Sequence, residues 1–147
     1  MSHPVFRILI RRFSMSDRLI RIPHCFESDT LVDVHVLKNP DSVSNWINTV
    51  FKDYDLSDEY NKSIDLTDRK VYENIPVVGF DIEWVTRGSY TSKTSLIQLA
   101  FKNSVMIVQT RYLTKQLPLP LVQLLTSRSI LKVGCGIAND YVKLDQE

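Results

Sequence analysis

The chain has 147 residues, 44% of them hydrophobic and 24% charged, and a net charge of +1, which fits one ordinary globular domain and excludes disordered and collagen-like chains. Cys25 and Cys135 lie far apart without a CxxC or Cys/His pattern, so neither a zinc site nor a disulfide framework is expected, and an intracellular, reducing setting fits best. No apolar run approaches the ~18 residues of a membrane span, so a membrane is not expected among the partners.

Residues 1–24 carry five basic residues and one acidic residue. Within them Phe6, Leu9, Ile10 and Phe13 share one helical face while Arg7, Arg11 and Arg12 lie elsewhere. Such a start resembles a mitochondrial presequence, with Arg11-Arg12-Phe13-Ser14 similar to a processing site; a short first element or an irregular tail is the competing reading. The expected division is therefore a basic segment over 1–24, a candidate targeting sequence, and a domain over 25–147. The expected compartment is the nucleus or the mitochondrion.

Residues 30–38 alternate as a strand, with Leu31, Asp33 and His35 on one side and Val32, Val34 and Val36 on the other. Asn39-Pro40 breaks it, and Asp41 or Ser42 is expected to cap a helix that buries Val43, Trp46, Ile47, Val50 and Phe51. The acidic, aperiodic stretch 53–74 reads as a long surface loop or a broken helix. A nearly continuous apolar strand is expected over 77–84, then a polar turn region, a strand over 94–102 and a third over 104–110, forming an antiparallel meander. An amphipathic helix over 119–127 leads to a buried strand over 130–136, and residues 137–147 open another helix. The expected fold class is α/β, a mixed sheet flanked by helices.

Asp81 and Glu83 are two apart on a strand, so both project from one face. Two neighbouring carboxylates repel and lose hydration, and a hard cation such as Mg²⁺ or Mn²⁺ relieves both costs. A lone DxE reads more simply as a solvent-facing pair on an ordinary strand, so the motif by itself is a weak signal. Asp140 follows Gly134 and Gly136 where a strand gives way to a helix, and from the first turn it can point back toward the pair, or simply cap the helix.

The runs Val78-Gly79-Phe80-Asp81-Ile82-Glu83-Trp84, Ser95-Leu96-Ile97-Gln98-Leu99-Ala100 and Lys132-Val133-Gly134-Cys135-Gly136-Ile137-Ala138-Asn139-Asp140, with Lys143-Leu144 after them, closely resemble the DEDD superfamily of 3′-to-5′ exonucleases. The similarity is to its Werner-syndrome-type and ribonuclease D-like domains. That resemblance implies a ribonuclease H-like fold, a two-metal site for Mg²⁺ or Mn²⁺, and DNA or RNA 3′ ends as partners in nucleic-acid metabolism. It also implies that Asp81 bridges the two metals, Glu83 binds the metal that activates water, and Asp140 acts on the second. Trp84 either lines the terminal-nucleotide pocket or packs in the core. The family's fourth carboxylate, and the tyrosine or histidine four residues before it, have no counterpart within these residues, since Tyr141, Asp145 and Glu147 lie on the same helix as Asp140. A C-terminally incomplete domain, weak or inactive by itself and with an apolar sheet surface left exposed, is the expectation. A non-catalytic nucleic-acid-binding or protein-interaction module is the competing one.

Overall fold

The structure is a computed structural model that describes residues 17–23, 31–65, 75–113 and 116–147. Its strands are β1 (Arg18–Pro23), β2 (Leu31–Leu37), β3 (Val77–Glu83), β4 (Thr86–Arg87), β5 (Tyr90–Thr91), β6 (Leu96–Phe101), β7 (Ser104–Gln109) and β8 (Leu131–Val133). Its helices are α1 (Pro40–Val50), α2 (Asp58–Ser63), α3 (Leu119–Thr126) and α4 (Ile137–Asp145), with a 3-10 turn at Thr110–Tyr112. Among the described residues six strands form one sheet in the order β1-β2-β7-β6-β3-β8, and β4 and β5 make a separate hairpin. β3, β6 and β7 are antiparallel neighbours, whereas β2 runs parallel to β7 and β8 parallel to β3. The sheet is therefore mixed, as expected.

Strand alternation sorts the side chains onto two faces. On one face Val78, Phe80 and Ile82 of β3 join Ile97 and Leu99 of β6 and Met106 and Val108 of β7 beneath α1 and α3 in the main core. Helix α3 adds Leu121, Leu124 and Leu125, and α1 adds Val43, Trp46 and Ile47. Each such side chain contributes about 1.5 to 3 kcal/mol on burial. On the other face a smaller cluster joins Val32, Val34 and Val36 to Ile107. Farther along that face Val77, Leu131 and Val133 are exposed, aligned by the β3–β8 register.

Several boundaries differ from the sequence reading. Helix α1 starts earlier: Asn39 is its cap, accepting from the Asp41 N–H at 2.8 Å, and Pro40 takes the first helical position where no N–H is needed. It ends at Val50, with Phe51 as its C-cap rather than part of the helix. The stretch after 53 contains the short helix α2, capped by Ser57. The expected buried strand over 130–136 is only three residues, at the sheet edge, with Leu131 and Val133 exposed and Ile130 buried instead. Arg18–Pro23 pairs with β2 as an edge strand, so this part of the 1–24 segment belongs to the sheet, while the amphipathic start at 1–16 lies outside the described residues. Among the described residues no helix is long and apolar enough to cross a membrane.

Trp46 ties α1 to the sheet twice. Its ring meets His35 and Phe51 edge-on, and its indole N–H donates to Ser104 Oγ at 3.0 Å. Trp46→Phe keeps an aromatic ring but loses that hydrogen bond and part of the packing. It is expected to cost about 1 kcal/mol, read as a fall of roughly 4 °C in thermal midpoint; an unchanged midpoint would show that the bond contributes nothing.

Candidate active site

Asp81 lies next to last but one on β3, on the face opposite the main core, with Gly79 and Glu83. It is half-buried and Glu83 is exposed. Directly across the ladder stands Gln98 of β6, whose Nε2 donates to Asp81 Oδ2 at 2.8 Å. This bond sets the orientation of the carboxylate from the neighbouring strand. Gln98 had a signal in the sequence, as the only polar residue of the strand LIQLAF, but a strand-face residue gains meaning only when its register partner is known.

Asp140 arrives by another route. β8 runs parallel beside β3, and its chain turns through Gly134, Cys135 and Gly136 into α4. Gly136 is the residue before the helix, at φ 74°, and no side chain caps the helix start. Capping is therefore not what Asp140 does. Tyr141 fastens the helix to the core, its ring packing on Phe80 at 5.3 Å and its hydroxyl donating to the Leu125 carbonyl at 3.2 Å. Asp140, one residue earlier, is 5% exposed. Its Oδ2 is buried without a hydrogen-bond partner among the described residues. Burial first, and then the negative charge of Asp81, push its carboxyl pKa above the ordinary value.

Asp140 thus lies near enough to Asp81 for the charge of one to disfavour ionisation of the other, and one of its oxygens is buried without a partner among the described residues. Buried polar atoms are almost always partnered, so an orphan beside a like charge needs a reason. A cation between Asp81 and Asp140 would satisfy the oxygen and cancel the repulsion, so the residues fit the group that the resemblance implies. Glu83 shares the strand face of Asp81, yet among the described residues no three acidic, histidine or cysteine side chains are gathered tightly enough to form a ready metal cage. Trp84 is packed against the main core. Cys135 is an exposed free thiol, and Cys25 lies outside the described residues.

A 3′-5′ exonuclease family model matches residues 63–147. The mouse (Mus musculus) protein called exonuclease 3′-5′ domain-containing protein 2 is 36% identical over 83 residues, which is 54% of this chain and 13% of that protein. Its human (Homo sapiens) counterpart is 37% identical over 83 residues, again 54% and 13%. The chain thus spans only a small part of the curated relatives it matches. A crystal structure of the EXD2 exonuclease domain aligns with a TM-score of 0.55 at 28% identity, covering 77% of this chain and 50% of that one. The Aedes aegypti Nibbler EXO domain shares the fold, with a TM-score of 0.52 at 18% identity over 77% of this chain and 43% of its own. The mixed sheet flanked by helices is the ribonuclease H-like fold of the EXD2 structures. Matched across more than half its length, over β3, β6, β8 and α4 with their carboxylates, this chain belongs to the 3′-5′ exonuclease family.

Proposed function

We propose that Asp81, Asp140 and Glu83 hold Mg²⁺ or Mn²⁺ for hydrolysis of the terminal phosphodiester bond at nucleic-acid 3′ ends. The observation that carries this reading is the buried, unpartnered Asp140 Oδ2 beside Asp81. Crystals of the related EXD2 domain were soaked with Mg and GMP and with Mn and GMP, which supports a divalent metal beside a nucleotide in this family. When bound, such metals lower the pKa of an attacking water and offset charge on the leaving 3′ oxygen.

The chain's own residues supply the rest. Gln98 holds Asp81 in one orientation, α4 brings Asp140 over the end of β3, and exposed Glu83 gives the site its open side. A groove of about 1110 Å³, lined by Lys93 and Arg111 among others, lies beyond the far end of α4, where two cations can neutralise phosphates of the strand. Trp84, directly after Glu83, is partly buried against the main core and supports the end of β3 from that side.

The test uses 5′-labelled single strands of DNA and of RNA with Mn²⁺ or Mg²⁺. Two proteins are compared: the 147-residue chain, and a longer form carrying a family-type Tyr-x-x-x-Asp helix after Glu147. The longer form is expected to shorten strands stepwise from the 3′ end, to stop with a chelator, and to exceed the 147-residue chain by several orders of magnitude. Binding of strands without any metal-dependent shortening by either form would overturn the enzyme reading in favour of a non-catalytic nucleic-acid-binding module.

A further inference from the structure

We propose that Glu147 is a positioning residue for the carboxylate site, locking the far end of α4 to the segment that also holds Glu83. The proposal rests on the metal reading of Asp81 and Asp140.

Asp140 sits in the first turn of α4 and Glu147 just beyond its last residue. They are seven residues apart, about two helical turns. The Glu147 carboxylate accepts from the Thr94 backbone N–H through both oxygens, at 2.8 and 3.0 Å, and from the Thr94 hydroxyl at 3.3 Å. Lys143, one turn back on the same helix, pairs with it at 2.5 Å. These are charge-assisted bonds around a side chain that is only 18% exposed. Burial pushes the Glu147 carboxyl up, but the Lys143 ammonium and the Thr94 donors outweigh it and hold the group below its ordinary value.

Thr94 is an anchor rather than a passing neighbour. It is buried, its carbonyl accepts from the Thr110 hydroxyl, and the next residue, Ser95, donates its N–H to the Glu83 carbonyl at 2.7 Å. One two-residue segment therefore ties down the end of β3 on one side and the end of α4 on the other. At its start α4 is fixed by the turn from β8 and by Tyr141. Release of the Glu147 end leaves only the packing of Leu144 on the core to hold that end, so the helix can shift about its start and change where Asp140 stands relative to Asp81. Metal sites tolerate only about 0.5 Å of such movement. Outer supports of metal ligands commonly govern a 10- to 100-fold range in affinity.

The experiment measures Mn²⁺ binding to the 147-residue chain by the spin resonance of free Mn²⁺, together with thermal midpoints in chelator. Glu147→Gln preserves size but offers a single acceptor oxygen and no partner for Lys143. It is expected to raise the Mn²⁺ Kd about tenfold. Lys143→Gln, which leaves the Thr94 bonds in place, is the milder variant and is expected to raise Kd about twofold. Asn61→Ala is the control for a merely structural loss: Asn61 accepts from the Ser127 hydroxyl at 3.0 Å and the Arg128 N–H at 2.9 Å, so it weakens the end of α3 and is expected to leave Mn²⁺ affinity unchanged. Glu147→Gln binding like the parent, or Asn61→Ala weakening binding as much, would overturn the lock alone. Absence of Mn²⁺ binding by the parent chain, or binding that Asp81→Ala does not diminish, would overturn the metal reading and the lock with it.

Discussion

Asp140→Asn is expected to weaken Mn²⁺ binding about a hundredfold and, in the absence of metal, to make the folded chain more stable. The opposite signs follow from one arrangement. Asp140 is buried, feels the charge of Asp81, and has an oxygen without a partner among the described residues. Without a cation the folded state bears that cost, and the amide removes the charge while nearly keeping the shape. The relief is expected to be roughly 1 kcal/mol, or about 4 °C in thermal midpoint. With Mn²⁺ present, the same substitution takes away an anionic ligand, and the parent becomes the more stable of the two through mass action.

The pH dependence separates this effect from a general one. The Asp140 carboxyl is raised from 3.8 in the folded state by burial and by Asp81. Its contribution to stability is therefore fully present below about pH 3.8 and is lost as pH rises through the folded pKa. Glu147 behaves oppositely: lowered from 4.5, it contributes stability above that pH and loses it as pH falls through its folded pKa. Melts in chelator across pH 4 to 8 should show the gain from Asp140→Asn growing toward neutral pH. A variant less stable than the parent in chelator at pH 7, or one that still binds Mn²⁺ equally well, would show that Asp140 is not an unpaired metal carboxylate.

What was legible in the sequence depended on how local its cause was. The strands over Asp81, Gln98 and Ile107 were readable because alternation and apolar runs are properties of a few neighbouring residues. The cap of α1 was misplaced because Asn39, Asp41 and Ser42 are all good caps, and the choice was settled by Pro40, which prefers the first helical position. Strand β1 was missed because Arg18–Pro23 shows no alternation, its two arginines being three apart and so on opposite faces, and it lies on an edge, where one side has no neighbour to demand burial. At the site, the spacing of Asp81 and Glu83 gave their shared face, and the glycines before Asp140 gave its turn. The Gln98 to Asp81 bond spans 17 residues and the Glu147 to Thr94 lock spans 53. Contacts that distant depend on strand register and helix docking, which no local pattern contains.

Gly134→Ala is expected to be far more damaging than Gly136→Ala, although the two positions flank the same cysteine. A Cβ at Gly134 would stand 2.1 Å from the Phe80 carbonyl oxygen and 3.3 Å from its carbon, so backbone on one side has to move by more than about 1 Å to restore ordinary contact. Neither side is free. Phe80 is a core residue directly before Asp81, and its ring packs on Tyr141; residue 134 closes the β3–β8 pairing and starts the turn that delivers Asp140. Either displacement pulls the two carboxylates apart and disturbs the core, with an expected cost of roughly 3 kcal/mol or more, enough to unfold much of a marginal domain. At Gly136 a Cβ meets nothing within 4 Å, and the penalty is only the left-handed backbone at φ 74°, about 1 to 2 kcal/mol. Thermal melts and Mn²⁺ binding of the two single variants decide the matter. Gly136→Ala should stay folded and bind Mn²⁺ within a few-fold of the parent, while Gly134→Ala should lose binding together with its cooperative melt. Equal, mild effects at both glycines would mean that the close approach of residue 134 to β3 does not set the carboxylate geometry.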